Sequence, residues 1–246
     1  MVARFIGKSV LITGGGGRIG AATARRIMSE GGAVVLIDRT ESAVEAVAAG
    51  LRSEGGAAHA LHADVANEAD VSRAFEQAVA AVGRLDAVVV NAGVQLHTLD
   101  RPVHEQTLAA WDATQDVNYR GAFLCCRAAA RHMLAQGGGS IVVIGSFAGL
   151  QGTNGQAAYA ASKAGLIGLV KTAAREWGRH NIRVNLVCPG WQQTSMAGDS
   201  FPTGERLDDH VLGRVSNLVD VSRTICQLAQ LSDISGQVWN LDSRIL

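Results

Sequence analysis

The feature that most constrains this fold is a regular alternation of two kinds of segment. Apolar runs rich in Val and Ile recur seven times, from SVLITG near the N-terminus to GQVWNLD near the C-terminus. Six Ala-rich segments with helical patterning separate them, at 18–31, 40–55, 67–82, 104–136, 157–179 and 217–231. Runs that are apolar throughout are typical of strands buried on both faces of a parallel sheet. The alternation therefore predicts an α/β fold, a doubly wound parallel seven-stranded sheet with helices on both faces.

These elements account for nearly all of the 246 residues. No linker, repeat or low-complexity tract divides them, so we expect a single domain spanning residues 1–246. The longest stretch without a pattern lies at about 194–212. Long loops in compact domains tend to be lids over binding sites or disordered segments, and we interpret this one as a lid.

The composition excludes several classes of function. Lys plus Arg and Asp plus Glu each number 22, and a net charge of zero argues against a nucleic-acid partner. No apolar run approaches the roughly 18 residues that a membrane-spanning helix needs. Four cysteines without a CxxC motif indicate reduced thiols and a cytoplasmic protein. His97 and His104 have no ligand partner at a useful spacing, so we expect no metal site.

A glycine-rich turn follows the first apolar run. Gly14 to Gly17 are consecutive glycines, and Arg18, Ile19 and Gly20 then open a helical segment. In a doubly wound sheet this turn binds the pyrophosphate of a dinucleotide at the helix N-terminus, where glycine lets the backbone approach the phosphates. An ordinary flexible loop is the alternative interpretation of these glycines alone.

Asp38 ends the second apolar run, 18 residues after Gly20. An acidic residue at this place can accept hydrogen bonds from both ribose hydroxyls of NAD and repels the 2′-phosphate of NADP. NAD is therefore the expected cofactor, with a turn or helix cap as the alternative role of Asp38. NADP stays possible, because Arg18 or Arg39 can meet a 2′-phosphate. For Arg18 the sequence leaves open a pyrophosphate contact or a plain surface position.

A second group of residues carries the chemistry. Tyr159 and Lys163 stand four residues apart in a helical segment and so share one face. Ser146 follows the end of a strand thirteen residues before Tyr159, and Asn118 lies within a long helical segment. Taken singly, Tyr159 is a surface residue, Lys163 a solvated charge, Ser146 a cap and Asn118 a helix defect. Together on a nucleotide-binding fold they form a proton donor, its activator and a carbonyl polariser.

These motifs resemble the single-domain type of short-chain dehydrogenase/reductase, whose fold is Rossmann-like. The resemblance spans the chain and rests on TGGGGRIG, ADV at 63–65, NAG at 91–93, YAASK and PGWQQT at 189–194. It implies a catalytic tetrad of Asn118, Ser146, Tyr159 and Lys163, with Asn118 positioning a proton-relay water. It also implies a cofactor site formed by Gly14, Gly17, Arg18, Ile19, Gly20, Asp38, Arg39, Asp64, Val65, Asn91, Ala92, Gly93, Tyr159, Lys163, Pro189, Gly190 and Thr194.

Departures from the family pattern include the glycine-rich turn and the C-terminal stretch. Gly17 and Arg18 look exchanged relative to many relatives. The chain ends NLDSRIL where relatives often show DGG, which makes a C-terminal subunit contact less secure. The resemblance implies a homotetramer, and the Ala-rich helices at 104–136 and 157–179 agree with packing between subunits.

The expected reaction is hydride transfer between the nicotinamide and a secondary alcohol or ketone. A free tyrosine titrates near pH ~10, and a neighbouring ammonium can lower such a pKa by about 1–3 units. We therefore expect Lys163 to make Tyr159 unusually acidic, while Ser146 donates a hydrogen bond to the substrate oxygen. An NADPH-dependent 3-oxoacyl-thioester reductase is the alternative enzyme, and a non-catalytic nucleotide sensor is a third possibility.

The substrate pocket should be assembled from loops after the fourth, fifth and sixth strands. Its expected members are Gln95, Leu96, Ser146, Phe147, Gln151, Trp191 and Met196, with Phe201 in place of Met196 as an alternative. Most are apolar, which suits a medium-sized, fairly hydrophobic substrate. No Arg or Lys cluster in these loops indicates an anionic one.

Overall fold

Seven parallel strands form one sheet in the computed structural model, which describes residues 4–192 and 207–245. The strands are β1 (Ser9–Thr13), β2 (Ala33–Asp38), β3 (Ala58–His62), β4 (Ala87–Val90), β5 (Gly139–Ile144), β6 (Ile182–Pro189) and β7 (Val238–Leu241). Every neighbouring pair in the sheet is parallel. The predicted parallel, seven-stranded, doubly wound sheet is confirmed.

The strand order, β3-β2-β1-β4-β5-β6-β7, contains one reversal of direction. The chain builds outward from β1 to β3 and then crosses back to place β4 on the other side of β1. Ligands in open α/β sheets bind at such a switch point, outside the carboxyl ends of the strands. The glycine-rich turn, which follows β1, lies at this position.

The described residues form eight α-helices. They are α1 (Arg18–Ser29), α2 (Glu41–Ser53), α3 (Glu68–Val82), α4 (Leu108–Gln115), α5 (Gly121–Gln136), α6 (Ala148–Gln151), α7 (Ala157–Trp177) and α8 (Leu218–Gln230). Five predicted segments match their helices to within about two residues. No helix in this part of the chain is both long enough and apolar enough to cross a membrane.

The prediction of one helix over 104–136 is wrong in two respects. The α-helix begins only at Leu108, where the side chain of Thr107 accepts a hydrogen bond from the Ala110 amide. A π-helical turn, Asp116–Arg120, then separates α4 from α5. The short helix α6 has no counterpart in the prediction, because four residues are too few to show a helical period.

The core forms two layers, one on each face of the sheet. Val10 and Ile12 of β1 pack with α1, α2 and α8, whereas Leu11 between them points to the layer that contains α3, α5 and α7. Because successive strand residues face opposite sides, a strand covered by both layers must be apolar at every position. This explains the continuous apolar runs in the sequence.

Candidate active site

A cavity of about 300 Å³ lies at the carboxyl ends of the central strands. Most of the predicted site residues line it: Gly14, Gly17, Arg18, Ile19, Asp38, Asn91, Ala92, Gly93, Gln95, Ser146, Phe147, Tyr159, Lys163, Pro189, Gly190 and Trp191. A smaller adjoining pocket is lined by Gly14, Asp38, Arg39, Asp64 and Val65 together with residues of the loop after β4. The structure thus brings the predicted nucleotide and catalytic residues to one crevice.

Four predicted residues do not line these pockets, and three lie outside the described part of the chain. Gly20 is buried behind the loop, and Asn118 is buried beside the cavity. Gln151 is exposed at the end of α6, and Leu96 precedes a 3₁₀ turn at His97–Leu99. Thr194, Met196 and Phe201, with most of the expected lid, lie outside the described residues.

The turn after β1 leaves no room for a Cβ at Gly14 or at Gly20. Gly14 adopts φ +66°, and a Cβ there would lie 2.8 Å from Asn91 Nδ2. A Cβ on Gly20 would lie only 2.3 Å from the carbonyl oxygen of Gly14. The first glycine therefore allows the turn to approach β4, and the second allows α1 to pack against the turn.

Asn91 and Thr13 join the ends of β1 and β4. The Thr13 hydroxyl accepts hydrogen bonds from the backbone amides of Asn91 at 3.0 Å and Ala92 at 3.1 Å. The Asn91 side chain donates to the carbonyl oxygens of Thr13 and Gly14, at 3.0 and 3.1 Å. These bonds fix the floor of the crevice at the switch point.

Asp38 faces the crevice from the end of β2. One carboxylate oxygen accepts from the Gly16 amide at 3.1 Å, and the other accepts from the Thr40 amide at 3.0 Å. The carboxylate is therefore held in place by the glycine-rich turn and by the start of α2. Arg18 lies at the first position of α1, exposed at the mouth of the cavity.

Asn118 occupies the π-helical turn. Its Oδ1 accepts from the Val94 amide at 2.7 Å, and its Nδ2 donates to the Val94 carbonyl at 2.8 Å and to Ser162 Oγ at 3.1 Å. π-turns inside helices are frequent at functional sites. Here the turn lets a fully buried amide tie the loop after β4 to α7, the helix that carries Tyr159 and Lys163.

The other three residues of the predicted tetrad, Ser146, Tyr159 and Lys163, lie near the end of β5. Lys163 Nζ lies 5.9 Å from the centre of the Tyr159 ring and donates to the carbonyl of Ile144 at 2.9 Å. Ser146 Oγ accepts a hydrogen bond from the Ala148 amide at 3.2 Å. The Ser146 side chain also interacts by a hydrogen bond with the Tyr159 phenol, which acts to lower the pKa of the phenol. Both α7 side chains face the strand end, as their four-residue spacing predicts.

The expected acidity of Tyr159 is wrong for this arrangement. Burial raises the pKa of the Tyr159 phenol, and the hydrogen bond with Ser146 opposes that rise without reversing it. Burial also lowers the pKa of Lys163 to about 8. The sequence shows the pairing of phenol and amine but not the desolvation that both groups undergo, and desolvation favours the neutral form of each.

Arg244 is the principal cavity residue that the sequence did not reveal. It follows β7 and lines the cavity together with Thr153, Gln156 and Gln192. Arg244 comes from the C-terminal NLDSRIL stretch that departs from the family pattern, and this departure was its only available signal. Among residues 4–192 and 207–245, no three His, Cys, Asp or Glu side chains are grouped to hold a metal ion.

Comparisons with known proteins agree with this geometry. The family model described as short chain dehydrogenase matches residues 8–204. A 3-oxoacyl-[acyl-carrier-protein] reductase of Synechocystis sp. is 36% identical over 236 residues, covering 94% of this chain and 94% of that protein. The 2-(S)-hydroxypropyl-CoM dehydrogenase 3 of Xanthobacter autotrophicus is 34% identical over 252 residues, covering 98% of each.

A solved structure of NAD⁺-bound xylitol dehydrogenase superposes with a TM-score of 0.91 at 29% identity, covering 98% of this chain and 99% of that one. The family match spans six of the seven strands, the glycine-rich turn and the four residues of the predicted tetrad. On this evidence the chain belongs to the short-chain dehydrogenase family of oxidoreductases.

Proposed function

We propose that this protein is an NAD-dependent oxidoreductase that interconverts a secondary alcohol and its ketone, with Tyr159 as the proton donor and acceptor. The observation that carries the proposal is the placement of Ser146, Tyr159 and Lys163 in one cavity with the glycine-rich turn. A nucleotide sensor needs the turn but has no chemical use for all three side chains.

The crevice suits a dinucleotide. The glycine-rich turn presents Gly14 and Gly17, which have no side chains, to the crevice, and the Asp38 carboxylate stands at its edge. Gly14, Gly17 and Arg18 would hold the pyrophosphate, Asp38 the adenosine ribose, and Asp64 and Val65 the adenine. The nicotinamide supplies or accepts the hydride when the cofactor is bound.

Tyr159 acts on the substrate oxygen. In reduction the phenol gives its proton to the oxygen while Ser146 donates a hydrogen bond to it, and the raised pKa of Tyr159 keeps this donor protonated. In oxidation the phenol must first lose its proton, which nearby positive charge favours. Lys163 supplies part of that charge. Asn118 is proposed to position a relay water, although its amide already bonds Val94 and Ser162.

Asp38 supports NAD over NADP. Its carboxylate is fixed by two backbone amides and cannot swing away from a 2′-phosphate without breaking them. The related xylitol dehydrogenase structure contains NAD⁺. Arg18 and Arg39 are the residues that would serve NADP instead.

The alternative function is reduction of a 3-oxoacyl thioester with NADPH. The similarity to the Synechocystis 3-oxoacyl-[acyl-carrier-protein] reductase favours it. Both functions use the same tetrad, so the substrate and cofactor must separate them.

We also propose a homotetramer. Leu108, Tyr119 and Phe123 are exposed apolar side chains on and between α4 and α5, and such patches are typical of subunit interfaces. A cytoplasmic location is supported by the cysteines, all of which are free and buried. Light scattering tests the assembly, and a monomer would contradict it.

A spectrophotometric screen at about 340 nm, where reduced nicotinamide absorbs, tests the function. Ketones, secondary alcohols and 3-oxoacyl thioesters are each assayed with both cofactors. We expect turnover of ketones and alcohols with a higher kcat/KM for NAD(H) than for NADP(H). An Asp38→Ser variant should have a smaller difference in kcat/KM between the two cofactors. Preference for NADPH and a thioester would support the alternative, and absence of turnover on every substrate would support a sensor.

A further inference from the structure

A second cation besides Lys163 lines the part of the cavity around Ser146, Phe147 and Tyr159, here called the catalytic half. Arg244 reaches it from the segment after β7, and its side chain is only 17% exposed. A guanidinium stays charged under all ordinary conditions, so its partial burial has to be compensated by partners.

Asp242 is the first of these partners. Its Oδ1 accepts from Arg244 Nε at 2.9 Å and its Oδ2 accepts from Arg244 Nη2 at 2.7 Å, a two-point pairing that fixes the plane of the guanidinium. The backbone amide of Arg244 also donates to Oδ1 at 2.8 Å. Burial acts to raise the pKa of Asp242, but the contacts with Arg244 hold it below the ordinary value.

Phe147 is the second partner. The guanidinium carbon lies 3.9 Å from the centre of the Phe147 ring, within the range of a cation–π contact. Phe147 directly follows Ser146, so Arg244 packs on the residue beside the one proposed to bind the substrate oxygen. Both Phe147 and Arg244 line the cavity.

Asp242 is itself held in place by neighbouring residues, Gly190 and His210. Its side chain is completely buried, and a Cβ at Gly190 would lie 1.5 Å from its Oδ2. His210 adds to the support, since its Nε2 lies 3.6 Å from Oδ1 and the residue forms an antiparallel bridge with Arg244. The arginine is therefore held between the loops that follow β5 and β6.

Part of the guanidinium is left for a ligand. The pairing with Asp242 uses Nε and one hydrogen of Nη2, and among the described residues Nη1 has no hydrogen-bond partner. Nη1 is not among the buried unpartnered atoms, so it reaches open space. The other polar residues of the catalytic half are Gln95, Thr153, Gln156 and Gln192, which carry no charge. Among the described residues, the carboxylate that lines the cavity is Asp38, which is held at the glycine-rich turn.

We propose that Arg244 is a specificity-determining residue that binds an oxyanion of the substrate, such as a carboxylate, at a distance from the reacting carbonyl. The outer edge of a fixed guanidinium offers two parallel donors, which match an oxyanion better than a neutral group. This inference rests on the proposed function. It replaces the sequence-based expectation of a merely hydrophobic substrate.

The test compares matched substrates. Methyl ketones that carry a terminal carboxylate on linkers of increasing length are assayed beside their methyl esters, and kcat/KM is measured for each. Charge-assisted hydrogen bonds contribute enough for the wild type to favour the best acid over its ester by about 10- to 100-fold. The ratio isolates the oxyanion because the reacting carbonyl is the same in both.

Two variants locate the preference at Arg244. Removing the arginine alone would leave a buried carboxylate unpaired, so the main variant is Arg244→Met with Asp242→Asn. The acid-to-ester ratio should fall to about one. Arg244→Lys keeps the charge but loses the two-point donor, so its acid-to-ester ratio should lie between that of wild type and that of the double variant. If the double variant does not fold, Arg244→Lys provides the test.

An exposed arginine on the neighbouring segment is the matched control. Arg214 accepts a hydrogen bond from Ser243 through its carbonyl but does not line the cavity, so Arg214→Met should keep the wild-type ratio. A ratio near one in the wild type, or a preference that survives both Arg244 variants, overturns the inference. Turnover of neutral ketones but of no acid also overturns it, whereas no turnover of any substrate defeats the proposed function itself.

Discussion

Gly20 is the residue at which a single added methyl group tests the architecture of the nucleotide site. A Cβ there would lie 2.3 Å from the Gly14 carbonyl oxygen and 3.0 Å from Gly15 Cα. Both neighbours are backbone atoms, so neither can rotate away as a side chain would. Gly20→Ala must push α1 from the turn, and overpacking of this kind costs about 1–3 kcal/mol of unfolding free energy.

Gly17 provides the matched control. A Cβ there would approach only the Gly14 oxygen, at 3.4 Å, and φ is −80°, so alanine fits without strain. Circular dichroism during heating measures the melting temperature of each variant. The melting temperature of Gly20→Ala should be about 2–12 °C below that of wild type, and that of Gly17→Ala should be close to wild type. Because Gly17 lines the cavity, Gly17→Ala should instead lose much of the stabilisation that added NAD gives. A Gly20→Ala protein that melts like wild type and binds NAD normally would refute the assigned packing.

Two further changes test the buried polar groups. The stability of Lys163→Met relative to wild type should fall as pH rises from about 8 to 10.5. Burial lowers the folded pKa of Lys163 to about 8 from 10.5, so the charged amine destabilises wild type below pH 8 and this cost disappears as the amine loses its proton. The variant also loses the hydrogen bond to the Ile144 carbonyl, so the pH dependence is the readout, and a pH-independent difference in urea titrations would contradict it. Asn118→Leu should cost about 1–3 kcal/mol for each of the two Val94 backbone groups it leaves unpaired, measured by urea unfolding at pH 7; a variant as stable as wild type would show that water satisfies them.

The sheet and the crevice beside the glycine-rich turn were predictable because they depend on local signals. Parallel strands covered on both faces must be apolar throughout, and the turn after β1 needs glycine at positions such as Gly14 and Gly20. The four-residue spacing of Tyr159 and Lys163 fixes their common face once they lie on a helix. These constraints are written in short stretches of sequence, so no long-range contact had to be known.

The features that escaped prediction depend on contacts between distant segments. Arg244 reaches the cavity because Asp242 pairs with it and because Gly190 leaves room for that carboxylate. The π-turn around Asn118 is stabilised by Val94 and Ser162, which come from other elements. The pKa of Tyr159 depends on its burial, which no spacing of residues reveals.

Tyr159→Phe tests the central claim most directly, since it removes one hydroxyl and leaves the ring and the nucleotide crevice in place. On the best ketone or alcohol from the screen, kcat should fall by about 100- to 10,000-fold, the range of a lost general acid. The affinity for NADH, measured by fluorescence titration of the same samples, should stay near the wild-type value. A variant that binds NADH normally and retains most of its turnover would contradict the role assigned to Tyr159.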